Sequence, residues 1–560
     1  MKFLKNNFIY YSLFLIILIG GFFRFYNLNW DKGHFFHPDE TNNIAIPAAN
    51  LKPPFRPKEF TYGSLTIYFY RLGALLVSFL TKDNLWLNAN RINVVGRFFS
   101  TVFSIALIFL IFYLGKMLYS QKVGMLAAIF TSLNVGLIQA AHFGTTETIL
   151  ALAGVLITIG AVFILDIKKY RVGYLLSSIT LGLASGAKIS ALVFSLTFFL
   201  AHLFSLTKKN FFKRNFLFLT SCFLTFIVFF LVSPYSILDY STFTESFKLQ
   251  KEIATGKLPM FFTSQFKETA PYFFQITKIF PWILGWPILI FGTLGFVFVY
   301  WQIIKTKDKK KFLLFFLPSF YFLYNGSLFV KWTRYMIPLT PFFCLFTAIF
   351  LISVYQKSKK QNQKLLARLL IVTVIATSFL YAFAFTNIYR YPDTRITASK
   401  WIHQNIPSGS NLLLEPLDAI SLPLPLKNNN SVAYQQNWFD FYALDDPFDW
   451  KEKSNQINNL TTYLTETDYL IIGSRRLYAN RLRLKDKYPL TARYYSLLFT
   501  GALGFDKIKE VSSYPKIFGV EINDDMAEET FQVFDHPKIL IFQNRKHLSE
   551  DKLKRLLLYD

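Results

Sequence analysis

Apolar residues in this chain gather into long runs, separated by short charged loops. The runs lie near 8–25, 98–115, 123–141, 147–165, 172–187, 189–206, 215–233, 279–301, 312–329, 335–354 and 368–386. A run of about 17–25 apolar residues is long enough to cross a bilayer as a helix, so the pattern predicts about 11 spans. Basic clusters occupy alternate gaps: Lys116 and Lys122; Lys168, Lys169 and Arg171; Lys208, Lys209, Lys213 and Arg214; Lys305 to Lys311; Lys357 to Arg368. The excess of Lys and Arg in cytoplasmic loops predicts that these gaps, with Lys2 and Lys5, face the cytoplasm. The complementary segments then face outward. They are 26–97, the turn around His142 to Glu147, the turn around Ser185 to Lys188, 234–278, the turn around Lys331 to Arg334, and everything after about 387.

The stretch from Tyr62 to Leu80 is apolar and nearly long enough to cross, which would invert every later loop. It carries Arg71 near its middle, a costly residue in hydrocarbon. Residues 44–80 are therefore predicted to lie at or dip into the outer interface, with Tyr62, Tyr68 and Tyr70 as anchors. Loop 234–278 contains Phe243, Phe247, Lys248, Gln250 and Lys251, the pattern of an amphipathic helix, before turn residues at Gly256 and Pro259.

From Tyr391 the long apolar runs stop and shorter periodicities begin. Thr394 is the predicted cap of a helix from Arg395 to Gln404. Pro407-Ser408-Gly409 predicts a turn and Asn411 to Glu415 a strand. Tyr469 to Gly473 and Lys538 to Phe542 predict further strands, and Asp551 to Leu558 a helix. The organisation expected is a polytopic α-helical membrane domain over 1–390 and an extracytoplasmic α/β domain over 391–560.

Composition agrees: the 560 residues are 53% hydrophobic and 19% aromatic, above the usual apolar share even without counting Gly. A net charge of +26 could point to nucleic acid, but its placement in short loops between apolar runs is the signature of membrane orientation instead. Cys222 and Cys344 lie inside apolar segments, so no disulfide framework is expected. The first apolar run has no small-residue cleavage site after it and is predicted to be retained as a helix.

The outward segments collect the ionisable groups. Asp39 and Glu40 lie in Phe35-Phe36-His37-Pro38-Asp39-Glu40, just past the first span. Glu147 closes His142-Phe-Gly-Thr-Thr-Glu, Lys188 sits at the third outer turn, and Lys331, Arg334 and Tyr335 precede a later span. A carboxylate base with nearby cations suits transfer from a phosphate-activated donor: the base takes the acceptor's proton and the cations neutralise the departing phosphate. Arg matches phosphate oxygens with its planar fork. A donor reached from the outer side of a membrane fits a lipid-linked sugar. His37 and His142 have no metal-ligand spacing around them and read as structural. Arg24 has the position of an interfacial anchor.

Several stretches together resemble one family. Phe23-Arg24-Phe25-Tyr26, Phe36-His37-Pro38-Asp39-Glu40 and Tyr62-Gly63-Ser64-Leu65 are similar to the opening of the dolichyl-phosphate-mannose protein mannosyltransferase and aminoarabinose-transferase superfamily. Asn90-Arg91-Ile92 through Arg97, His142 to Glu147, Gly182 to Lys188, and Arg334-Tyr-Met-Ile-Pro-Leu-Thr-Pro341 follow in the same order. Ala398-x-x-Trp401-Ile402-x-x-Asn405-Ile406-Pro407 and Phe534-Asp535-His536-Pro537-Lys538 resemble the outer tail domain of bacterial and archaeal members. The resemblance implies a GT-C-fold glycosyltransferase that uses a polyprenyl-phosphate sugar. It implies Asp39 as catalytic base, Glu40 as its partner, and Glu147 as a second acid. In metal-using relatives that second acid helps hold a divalent ion, so any metal here would fall to Asp39 and Glu147. Arg334 and Tyr335, with Lys331 behind them, and Lys188 are the implied donor-phosphate contacts. The implied partners are the lipid-linked donor, a glycan, lipid or protein acceptor and the bilayer, with no nucleic acid. A transporter or flippase of lipid-linked saccharides is the alternative. It would be built on inverted repeats with sites at mid-membrane, whereas no internal repeat is visible and the charges cluster at one face.

Overall fold

A computed structural model describes residues 2–58, 60–415, 422–424, 434–445 and 450–558. The apolar runs are helices: Lys2–Phe25, Ala89–Leu118, Glu147–Ile164, Tyr170–Ala187, Phe211–Val232, Trp286–Thr306, Lys309–Gly326, Thr340–Lys357 and Gln361–Thr386. Two predicted spans are interrupted. The run 123–141 is Gln121–Ser132 followed by Val135–Ala141, bent by 55° at the break. The run 189–206 opens as a tight 3-10 segment, Ile189–Phe194, before the helix Ser195–Ser205. Among the described residues seven helices are each long and apolar enough to cross a membrane, or eight with the bent pair. The other predicted spans fall short for local reasons. Lys309–Gly326 begins with three lysines, and the apolar part of the first helix is Ile9–Phe25. The protein is a multi-pass helical membrane protein.

The basic loops meet at one end of the bundle. Arg214 donates to the Ile164 carbonyl at 3.1 Å, Lys309 to the Phe204 carbonyl at 3.0 Å, and Tyr119 to Gln302 at 3.2 Å. This basic end is opposite the end that carries Asp39, Lys188 and Arg334, as the alternation of loops requires.

Helix Ser64–Thr81 is apolar enough for a span, about 27 Å long at 1.5 Å per residue. Its partners nevertheless belong to the site end. The Ser64 amide donates to Ser233 Oγ at 3.3 Å, at the end of Phe211–Val232, and the Gly63 amide donates to the Ala187 carbonyl at 2.8 Å. Its other half packs on the start of Ala89–Leu118: Gly73 lies against Val95 and Phe99, and Ser78 donates to Asn84 at 3.2 Å. Arg71 reaches the Leu87 carbonyl at 3.5 Å, which gives the charge a polar partner at that end. Leu72, Leu76 and Phe79 form an exposed apolar stripe on the outer side of this helix.

The C-terminal part folds as an α/β unit. Strands β1 (Asn411–Leu414), β2 (Gln435–Trp438), β3 (Tyr469–Ile472), β4 (Phe505–Val511) and β7 (Ile539–Asn544) make a mixed sheet in the order β2-β1-β3-β7-β4. Strands β5 (Lys516–Ile517) and β6 (Val520–Glu521) form a separate hairpin. β1 runs parallel to β2 and β3, while β7 is antiparallel to β3 and β4. Helix Thr394–Asn405 covers one face with Ala398 and Ile402. Its cap is Asp393, whose carboxylate accepts the Arg395 amide at 2.8 Å; Thr394 is already the first helical residue.

Buried polar contacts seat this unit on the site end. Tyr389 donates to Asp535 at 2.7 Å and Gln139 donates to the Phe531 carbonyl at 2.7 Å. Arg395, paired with Asp393, donates to the Phe534 carbonyl at 2.7 Å and lies 3.8 Å over the Phe36 ring.

Candidate active site

The first-loop acidic pair is held by a short helix, Pro38–Glu40. Proline at the first helical position supplies a preset φ and lacks only an amide that would be unpaired there. His37 caps it, accepting the Glu40 amide on Nδ1 at 3.3 Å. Adjacent residues of a helix point in different directions, and the two carboxylates separate accordingly.

Glu40 turns inward and is 1% exposed. Its oxygens accept from Arg97 Nε and Nη2, each at 2.7 Å, and from the Gly144 amide at 2.9 Å. Arg97 also holds Asp31 at 3.0 and 2.8 Å and donates to the Leu28 carbonyl at 2.9 Å. A side chain at Gly144 would place its Cβ 2.9 Å from Glu40 Oε1, so the contact requires glycine. Burial raises the Glu40 pKa, against the pull of Arg97. The cluster ties the first loop to the start of Ala89–Leu118 and to the turn after His142. Glu40 therefore supports the loop and does not open onto the cavity.

Asp39 faces the cavity. It forms an ion pair with Arg334, and Asn43 donates to its other oxygen at 3.2 Å. The cavity holds about 410 Å³ and is lined by Asp39, Tyr62, Lys188, Arg334, Tyr335 and Arg476, among others. An adjoining recess of about 30 Å³ is lined by His37, Glu147, Arg334 and Phe534. Glu147 thus faces the recess, one layer behind the main cavity, and Arg334 and Phe534 border both spaces.

Lys188 pairs with Glu147 at 3.5 Å, with its ammonium 5.0 Å from the Tyr62 ring and 5.3 Å from the Tyr335 ring. It sits in extended backbone immediately after helix Tyr170–Ala187. Gly63 makes this junction possible: a Cβ there would lie 1.9 Å from the Gly186 carbonyl oxygen. Arg334 stacks over Trp332 at 4.3 Å in the short 3-10 turn Thr333–Tyr335.

Lys331 departs from the expected placement. Trp332 is extended and turns the preceding side chain away, into an apolar cluster with Phe266 and Val330. Lys331 is 2% exposed, donates to the Phe329 carbonyl at 2.8 Å, and is held by burial at a pKa of about 8. It does not line the cavity. Arg24 also departs from the interfacial role: it is fully buried and donates to Ser104 at 2.8 Å and to the Thr131 and Ser132 carbonyls at 2.8 Å. It caps the carbonyl end of Gln121–Ser132, at the bend.

The two histidines are packed. His37 sits between Phe143 and Phe534, ring centres 4.4 and 4.3 Å away; burial, then the charge of Arg334, lowers its pKa well below the usual value. His142 stacks on Tyr389 at 3.8 Å, its ring nitrogens 2.8 Å from the Ile138 and Tyr26 carbonyls.

Among the described residues no three His, Cys, Asp or Glu side chains converge as metal ligands. Asp39 and Glu147 are each paired with a cation and border different spaces, so in this arrangement they do not converge on one ion. Sequence reading gave no site role to Arg97, Asp31 or Arg476, whose partners are distant in the chain.

The helical bundle, its first loop and the appended sheet unit have the GT-C fold. In particular, the chain superposes on an oligosaccharyltransferase of Archaeoglobus fulgidus in its apo form with a TM-score of 0.57 and 11% identity, covering 97% of this chain and 89% of that one. It matches AglB of the same organism, in complex with an inhibitory peptide and a dolichol-phosphate, with a TM-score of 0.52 and 11% identity over 88% of this chain and 72% of that one. It matches apo ArnT of Cupriavidus metallidurans with a TM-score of 0.50 and 11% identity over 86% and 95% of the two chains. No family model and no curated protein matches the sequence.

Proposed function

We propose that this protein is an inverting glycosyltransferase. It moves a sugar from a polyprenyl-phosphate carrier to an acceptor hydroxyl on the extracytoplasmic side of the cell membrane. The observation that carries the reading is the ion pair between Asp39 and Arg334 on the wall of one cavity. A carboxylate able to take a proton and a guanidinium able to hold a phosphate stand side by side, where a sugar bonded to phosphate must meet its acceptor. The complex of AglB with a dolichol-phosphate supports a lipid phosphate as donor.

In this mechanism Arg334 leaves Asp39 for the donor phosphate, which frees the carboxylate as the acceptor arrives. Asp39 takes the hydroxyl proton, the acceptor oxygen attacks the anomeric carbon, and the bond to the phosphate oxygen breaks on the opposite face. Tyr335 and Lys188 border the phosphate side, and Glu147 holds Lys188 in place. The basic end of the bundle faces the cytoplasm, which sets the site and the sheet unit on the other side.

The test is incubation of the purified protein with a panel of labelled polyprenyl-phosphate sugars and candidate acceptors. The expected outcome is that one donor loses its sugar and free polyprenyl phosphate accumulates. If none of the panel turns over, the proposal fails.

A further inference from the structure

The cavity is not built by the membrane helices alone. Arg476, Thr530 and Phe534 of the sheet unit line it beside Asp39 and Arg334. Arg476 lies in the loop that follows β3. It is 7% exposed, forms an ion pair with Glu529, and lies 5.8 Å from the Phe534 ring. Its neighbour Arg475 fixes the loop by donating to Gln532 at 2.8 Å and to the Ala527 carbonyl at 2.7 Å. Glu528, next to Glu529, accepts the Thr333 amide at 2.9 Å and the Gln265 side chain at 2.7 Å. Thr333 precedes Arg334. One buried carboxylate therefore links the segment that pairs Arg476 to the turn that presents Arg334, which fixes the two guanidinium groups relative to each other.

The chemistry gives a reason for two cations. In the donor the phosphate is a diester with one negative charge. As the bond from the anomeric carbon to the phosphate oxygen breaks, its electron pair stays on that oxygen. The new bond forms to the acceptor oxygen, and the acceptor proton goes to Asp39. The released polyprenyl phosphate is a monoester whose second ionisation lies near pH 6, so a second charge appears during the reaction. Arg334 can hold the standing charge. A second preset guanidinium is placed to meet the charge that develops, where electrostatic stabilisation accelerates the step. Lys188, also on the cavity wall, is an ammonium without the planar fork that matches phosphate oxygens.

We infer that Arg476, presented by the sheet unit, is a second phosphate-contacting residue that serves the charge appearing on the departing phosphate; this rests on the transfer reading above. Glu529 holds it until the phosphate arrives, as Asp39 holds Arg334.

The test compares the full-length protein with the double variant Arg476→Gln/Glu529→Gln, which leaves neither buried partner charged, and with Arg476→Lys. Four quantities are read: kcat, donor KM, inhibition by free polyprenyl phosphate, and thermal unfolding. For the double variant kcat falls by about 30- to 300-fold, in the range for loss of one transition-state donor. Donor KM stays within about threefold, because the standing charge is still held. Inhibition by polyprenyl phosphate weakens by about tenfold, and unfolding is unchanged. Arg476→Lys, which keeps the charge without the fork, lies between wild type and the double variant. If the double variant misfolds, Arg476→Lys alone decides, on the same split of kcat from donor KM. Unchanged kcat and product inhibition overturn the assignment. So does an equal weakening of donor and product binding with kcat intact. If the wild type transfers from no donor, the transfer reading falls and takes this with it; if it transfers and the variants match it, the assignment alone falls.

Discussion

Charged side chains around the site differ in how far they are buried. Asp39 and Arg334 keep 18% and 22% of their side chains exposed, whereas Arg97, Asp31 and Glu40 are at 0–2%. The buried cluster carries one guanidinium against two carboxylates, so its members depend on each other. Replacing Arg97 with Leu leaves two buried carboxylates without their partner, a change of the kind that costs about 3–5 kcal/mol. Equilibrium unfolding in detergent checks this: Arg97→Leu is expected to be strongly destabilised, and a variant as stable as wild type would show that the cluster contributes little. Asp39 and Arg334 were legible in the sequence because they lie at the ends of apolar runs. Arg97 was not, because nothing local distinguishes a buried ion-pair partner from an interfacial anchor; its partners lie 57 and 66 residues away. Lys331 was misplaced because one extended residue, Trp332, turns the chain between it and Arg334.

At the scale of elements, parity of apolar runs and basic loops predicted the two ends of the bundle, and Ser64–Thr81 was the segment that could have broken it. The structure adds a packing observation: both halves of this helix contact the site end of their neighbours, a non-local fact that hydropathy does not carry. The consequence is checkable with membrane-impermeant maleimide on intact cells, in a Cys222→Ser background. Cysteines at Lys58 and Lys82, on either side of the helix, are both expected to react from outside, and a cysteine at Lys309 only after permeabilisation. Reaction of one flank without the other would mean that the helix crosses. Gly63 sets a second test at this scale. Gly63→Val would drive the entry of the helix away from Gly186 and with it the wall around Lys188. The expected result is loss of transfer with membrane insertion kept, read by activity and by detergent extraction; wild-type activity would contradict the close approach.

For the whole molecule, the sheet unit acts as part of the site's wall. Its seat on the bundle includes His536, whose ring nitrogens face Asp524, at 2.7 Å, and Asp535, which in turn accepts from Tyr389. Burial opposes the imidazolium, but Asp535 and Asp524 outweigh it and lift the His536 pKa from 6.5 to about 10. A pKa raised on folding stabilises the folded state while the group is protonated. The contribution is full below about pH 6.5 and is lost as pH rises from there to about 10. Thermal unfolding of wild type and His536→Gln across this range should show the wild-type excess shrinking as pH increases. A difference that grows with pH would reverse the assignment. The sequence signalled an α/β tail through its change of periodicity, but not that the tail reaches the cavity. Arg476, Thr530 and Phe534 meet Asp39 only after about 400–500 residues of intervening chain are folded, and β-strand patterns do not specify which loop faces a neighbour.

The proposed transfer turns on whether the carboxylate of Asp39 takes the acceptor's proton. With whichever polyprenyl-phosphate sugar the wild type consumes, the decisive measurement is single-turnover transfer by Asp39→Asn beside direct binding of the same donor. Transfer is expected to fall by about 100-fold or more, the range for a positioned general base, while the donor still binds. Transfer at the wild-type rate by Asp39→Asn would contradict it.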